Sequence, residues 1–151
     1  MEYKFYGWQT AGNVKAKENG YGGRIRTPLD LYDALSDIWC GDTCAPRMRA
    51  EWSRENRTLG QCSITAFLAQ DIFGGQVYGM PADNGGVHCY NVVDGYIFDL
   101  TSEQFGEKAG DLCYEGNELQ DRESPGHFGK EEKRRRYEYL KGELYKKYGN
   151  S

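Results

Sequence analysis

Three residue types that can together activate a thiol occur in one order along the chain. A cysteine sits in GQCSITAFLAQD (60–71), and a histidine and an aspartate follow in GGVHCYNVVDGYIFDLTSEQF (85–105). Sulfur attacks a carbonyl carbon as the thiolate, so it needs surroundings that lower its pKa and an imidazole to exchange its proton. Cys62 falls in the first turn of an apolar helix, where unpaired N–H groups and the macrodipole favour negative charge. Those N–H groups can also hold the oxyanion of a tetrahedral intermediate. His88 then serves as base and afterwards as acid, with Asp99 as the carboxylate that fixes its tautomer. Gln61 is a side-chain candidate for the oxyanion and Asn91 a hydrogen-bonding support, while Trp52, together with Trp39, is a candidate for the substrate cleft.

The pairing of His88 with Asp99 follows from a hairpin. VHCYNVV and YIFDL flank Asp94-Gly95, a dipeptide typical of two-residue turns. With that turn, Val93 lies opposite Tyr96 and each step outward adds a pair, so 92 faces 97 and 88 faces 101. Side chains alternate, which puts His88, Tyr90 and Val92 on one face with Ile97, Asp99 and Thr101, and turns Asn91 to the other. His88 and Asp99 become diagonal neighbours about 7 Å apart at the backbone, a gap that an imidazole and a carboxylate can close. Asp99 is thereby favoured over Asn91 as the orienting group.

The elements that must carry these residues are legible to different degrees. TPLDLYDALSDIW opens with an N-cap, a proline and an acidic third position, and Leu31, Leu35 and Ile38 repeat at helical spacing, predicting a helix over 28–39. Residues 46–59 read as a loop with one helical turn. Ile64, Phe67, Leu68 and Ile72 mark one side of a second, central buried helix that Gly74-Gly75 ends. QVYGM (76–80) is a short strand. Residues 106–129 are Gly-rich and acidic and read as a long surface excursion. The closing KEEKRRRYEYLKGELYKKY places Tyr137, Leu140, Leu144 and Tyr148 on one face of a helix, with its charges solvated. Residues 1–26 read as an edge hairpin or an arm.

Size and charge bound the rest. At 151 residues one domain spanning 1–151 is expected, with a core over 27–148. The formal charge of −4 gives no general reason to seek nucleic acid or an anionic membrane. No apolar run approaches the roughly 20 residues of a membrane span, and MEYKFYGWQTAG has no signal-peptide pattern, so a cytoplasmic location is expected. The five cysteines are then free thiols.

Plainer readings compete for several of these residues. Cysteine is often a small buried hydrophobe, and Cys89, on the strand face opposite His88, is read that way. His127, in SPGHFG, is read as a surface residue. Cys40 and Cys44 form a C-x-x-x-C without the second well-spaced pair of a zinc site, so no metal or cofactor is expected.

WSRENRTLGQCSITAFLAQDIFGG, HCYNVVDGYIFDLTSEQF and RRRYEYLKGEL together resemble the YunG-like bacterial proteins, with GQC, H-x-Y-N and D-x-T-x-x-QF the most specific parts. The likeness runs from roughly residue 30 to the C-terminal helix and omits 1–26 and much of 106–129. The order Cys, His, Asp, with a nucleophile helix before a hairpin, also resembles papain-like and transglutaminase-like enzymes. That wider resemblance implies an α+β, papain-like fold with a central nucleophile helix packed on a small antiparallel sheet. It also implies thiol acyl chemistry at Cys62, His88 and Asp99. The expectation is a cysteine-dependent hydrolase or acyltransferase acting on an amide or thioester of a protein or peptide, with peptidase, deamidase and transglutaminase outcomes open. The alternative is a binding or inhibitory protein that keeps this scaffold without turnover and grips a partner with its N-terminal arm.

Overall fold

The computed structural model describes residues 4–17, 20–82 and 86–149. It is a mixed α+β fold with three α-helices and a small antiparallel sheet. Helix α1 (Pro28–Ser36) starts where the sequence signals it, with the Asp30 carboxylate accepting the Thr27 N–H at 3.3 Å. It ends short of the predicted 39 because its last turn tightens: the N–H groups of Asp37 and Ile38 bond three residues back, to Ala34 and Leu35. Ile38 and Trp39 are buried beyond the helix end.

Helix α2 (Cys62–Phe73) is the centre of the molecule. Nine of its side chains, including Ile64, Phe67, Leu68, Ile72 and Phe73, are buried, and Gly74 at φ 79° terminates it. Each large apolar side chain removed from water is worth about 1.5–3 kcal/mol, so this helix has little freedom to shift. It packs on the strand Val87–Val93 and on the C-terminal helix α3 (Glu131–Tyr148), whose Tyr137, Leu140 and Leu144 face inward as predicted.

The sheet has the order β3-β2-β1-β4, with β1 (Gln76–Pro81), β2 (Val87–Val93), β3 (Tyr96–Phe98) and β4 (Glu118–Leu119). The β2–β3 register is the one reckoned from the turn: Val93 pairs with Tyr96, Val92 with Ile97 and Asn91 with Phe98. Asp94 at φ 53° and Gly95 at φ 85° supply the two left-handed turn positions. One sheet face, carrying Cys89 and Val93, joins the main core around α2. Met80, Tyr90 and Tyr114 form a second, smaller cluster.

Three expectations are corrected. Within the described part of 1–26 there is no hairpin and no free arm: Ala11–Asn13 is a 3₁₀ turn, and Phe5, Ala11, Val14, Tyr21 and Ile25 are buried in the main core. The 106–129 stretch is not simply a surface excursion. A kinked 3₁₀ segment (Ser102–Asp111) leads to buried Tyr114, the short strand β4 follows, and His127 is only 3% exposed. That burial also overturns the reading of His127 as a surface residue. Gly-rich composition hid this order because irregular backbone has no period by which buried positions announce themselves.

Candidate active site

Cys62 is the first residue of α2, and the chain reaches it through Gly60 at φ 72°. Only glycine fits there: a Cβ on residue 60 would lie 2.6 Å from the Cys44 sulfur and 2.9 Å from the Ala45 nitrogen. The Cys62 side chain is half-buried, with its sulfur 3.8 Å from the Val87 carbonyl oxygen at the start of β2.

Two neighbours along β2 set its charge. Cys89 points toward α2, and a hydrogen bond from its thiol is the largest influence drawing Cys62 well below the usual thiol range; burial opposes this, and the His88 hydrogen bond and charge add to it. The same contact, helped by burial, drives Cys89 well above the usual range. The two shifts run in opposite directions, Cys62 toward its anion and Cys89 toward its protonated form. Cys89 is core, as expected, and also acts on the Cys62 thiol, which its place on the opposite strand face did not suggest.

His88 is 3% exposed and its Nε2 is 2.6 Å from Asp99 Oδ2. Burial alone would favour the neutral ring, but the Asp99 charge and hydrogen bond, joined by Cys62, push the imidazole pKa up to about 10. Nε2 is committed to Asp99, and Nδ1 is buried with no nitrogen or oxygen partner, which leaves Nδ1 as the ring nitrogen for the Cys62 sulfur. Both shifts favour the charged forms, a thiolate at Cys62 and an imidazolium at His88.

Asp99 is fully buried and held on both oxygens. Oδ2 accepts from His88 and, at 2.7 Å, from the Tyr114 hydroxyl; Oδ1 accepts from the N–H and hydroxyl of Thr101 at 3.3 and 3.4 Å. Phe105 sets its ring edge-on to the imidazole with centroids 4.7 Å apart. Gln104 donates to the Thr101 carbonyl and accepts the Gly60 N–H at 3.4 Å, tying the orienting loop to the nucleophile loop. The D-x-T-x-x-QF motif is thus one device whose members all serve the histidine or its surroundings.

Cys62 and His88 open onto a cavity of about 710 Å³. Met48, Val87 and Phe105 give it an apolar side, and Lys130, Lys133 and Arg136, from the start of α3, line it as well.

The family model described as YunG protein matches residues 27–149. The chain belongs to the YunG family. Within it, a 56-residue stretch is 41% identical to the protein named Uncharacterized protein YunG of Bacillus subtilis (strain 168). That stretch covers 37% of this chain and 48% of the Bacillus subtilis protein, so the match spans about half the length of that relative. No solved structure matches the chain. The YunG span contains Gly60, Cys62, His88, Cys89, Asp99, Thr101, Gln104 and Tyr114, and leaves out Tyr6, which touches the site from the N-terminal side.

The remaining sequence candidates take supporting places in this YunG chain. Gln61 is fully buried and its amide donates to the Cys40 carbonyl at 3.2 Å, so its side chain is a structural tie and is turned from the cavity rather than offered to an oxyanion. Asn91 donates to the Ala66 carbonyl at 2.9 Å and locks β2 to α2 one turn beyond Cys62. Trp52 does not line the cavity; its indole N–H bonds the Arg57 carbonyl at 2.9 Å, and Trp39 is a core residue bonded to Thr65. Cys40 and Cys44 lie apart from any metal-ligand set: among the described residues no group of three or more His, Cys, Asp or Glu side chains is placed to hold a metal ion. No helix among those residues is long and apolar enough to cross a membrane.

Proposed function

We propose that this chain is a papain-like cysteine hydrolase or acyltransferase, acting on an amide or thioester of a protein or peptide through a thioacyl-enzyme. The observation that carries the reading is the buried His88–Asp99 contact of 2.6 Å, set at the same cavity as a thiol drawn toward its anion. A structural histidine would have no need of a carboxylate held by three donor groups, nor of an Nδ1 left to a sulfur.

In the first half-reaction the Cys62 thiolate adds to the carbonyl carbon, and the displaced electron pair sits on oxygen. The first-turn N–H groups of α2, which have no intrahelical acceptor, would hold that oxyanion. As the tetrahedral adduct collapses, the bond to the leaving amine or thiolate breaks and His88 Nδ1–H delivers the proton, leaving an enzyme thioester and a neutral imidazole. In the second half-reaction the imidazole takes a proton from water or another acceptor as it attacks the thioester. Collapse expels the Cys62 thiolate and restores the imidazolium. Asp99 keeps the ring aimed throughout and stabilises its charge.

The test is site-resolved alkylation. Iodoacetamide at neutral pH is expected to label Cys62 well ahead of Cys40, Cys44, Cys89 and Cys113, and acyl donors are expected to add mass to the native protein and not to Cys62→Ser. Uniform labelling of all five thiols, or labelling of Cys62 only after unfolding, overturns the reading.

A further inference from the structure

The wall of the cavity formed by α3 differs in charge from the molecule as a whole. The chain carries a formal charge of −4, yet among the described residues the cavity is bordered by Arg47, Lys130, Lys133 and Arg136 against one carboxylate, Glu132. Glu132 is paired with Arg136, whose guanidinium also donates to the Thr43 carbonyl at 3.0 Å, so that pair is satisfied within the fold. Lys130, the N-cap of α3, and Lys133, in its first turn, both line the cavity.

Lys133 is the built member of the set. It is half-buried, and its ammonium donates to the Gly126 carbonyl at 2.8 Å and meets His127 Nδ1 at 3.1 Å. His127 can accept there because its Nε2–H is committed to Gln120 Oε1 at 2.8 Å, and burial followed by the Lys133 charge pulls its pKa down to about 4. Both partners of the ammonium are therefore neutral. Among the described residues no carboxylate pairs with Lys133, and an ammonium has three protons to donate. Two protons are used. A positive charge with one unspent donor is held at the cavity that contains Cys62.

We propose that this cavity takes acyl donors bearing a carboxylate, with Lys133 as the residue that binds the carboxylate and Lys130 and Arg47 strengthening the field at the rim. The inference rests on the reading of Cys62 as the reactive group. The Cys62 thiolate is the anion that acts on Lys133 before reaction; once Cys62 is acylated, a neutral acyl chain would leave the ammonium without a counter-charge, whereas a carboxylate would complete its hydrogen bonds and neutralise it. The apolar side formed by Met48, Val87 and Phe105 would take the aliphatic part of the same group.

The experiment compares two alkylating probes that differ in charge alone, iodoacetate and iodoacetamide, at Cys62, with each rate divided by that of a small thiol. The iodoacetate-to-iodoacetamide ratio is expected to exceed that of the small thiol. It is expected to fall about fivefold to tenfold in Lys133→Met, to recover in Lys133→Arg, and to shrink as salt is raised. A ratio in Lys133→Met equal to that of wild type overturns the anion site while leaving the nucleophile intact. Rapid selective labelling by iodoacetamide is what separates the two readings, since its loss would count against the thiol chemistry instead. A second measurement uses wild-type protein alone: chemical-shift titration with glutarate and with glutaramide. Saturable shifts at Gly126 and the first turn of α3 with glutarate only are expected, and equal response to both, or to neither, overturns the proposal whatever the reactivity of Cys62.

Discussion

The two walls of the cavity are built on opposite principles. On the sheet side, His88 and Asp99 are 3% and 0% exposed, and their hydrogen bonds are made within the fold. On the α3 side, Lys130 and Arg47 stand in solvent, and even half-buried Lys133 keeps a donor to spare. Low dielectric on the first wall makes each charge-assisted bond strong and each loss costly. Water and salt on the second wall make each charge weaker and replaceable. On the proposed function, the contrast would separate reactivity, held by a dry network, from selection, tuned by solvated cations.

Mutations should respect that division. The largest effect is expected from His88→Ala: alkylation of Cys62 at neutral pH should slow about 100-fold, measured by site-resolved mass spectrometry. In the wild type the same rate should respond to pH less steeply than that of an ordinary thiol, because the Cys62 pKa is drawn down and the imidazolium persists to about 10. In His88→Ala the rate should rise with pH as for an ordinary thiol. Next is Gly60→Ala, which asks a left-handed φ of 72° of an L-residue and drives its Cβ into Cys44 and Ala45. A stability loss of about 2–4 kcal/mol is expected in urea titration, together with slower labelling at the displaced Cys62.

Tyr114→Phe should cost less, about 1.5–3 kcal/mol, because it removes one donor from a buried carboxylate that keeps three others. Its sharper signature is a modest fall in the pH at which the labelling rate responds to His88, as Asp99 loses part of its anchoring. Arg135→Ala breaks an exposed pair with Glu131, whose side chains are 75% and 76% exposed, and should change the melting midpoint by less than a degree or two. A site effect from that last change would erase the distinction between the walls.

Much of the sheet wall could be read from residues in order. Asp94-Gly95 fixed the hairpin register, alternation put His88 and Asp99 on one face, and the apolar repeat of Ile64, Phe67, Leu68 and Ile72 set α2 behind Cys62. Local periodicity carries such information because regular backbone converts spacing into direction. Tyr114 gave no such signal, since it approaches Asp99 from an irregular segment whose path depends on closure of the whole fold. His127 and Phe5 were misplaced for the same reason. Cys89 was assigned to the correct face, but that face proved to be the one that meets the mouth of α2, a meeting that depends on how helix and sheet cross.

Gln61 and Trp52 show the converse error. Proximity in sequence to the nucleophile suggested an oxyanion donor, yet the residue before a helix start turns its side chain back toward the preceding loop, here to the Cys40 carbonyl. A large ring near the nucleophile segment suggested a cleft, yet the Trp52 indole closes a local turn through Arg57.

Tyr6 reaches the orienting carboxylate by two routes: its carbonyl accepts the Asp99 N–H at 3.0 Å, and its ring stacks on Tyr114 with centroids 3.9 Å apart. It thus acts as a stopper, sealing the rear of the proton relay with residues upstream of the family-matched span. Loosening that seal would admit solvent behind the carboxylate and weaken its hold on the imidazole. On the proposed function, the strength of the His88 base is then adjustable from residues that do not line the cavity.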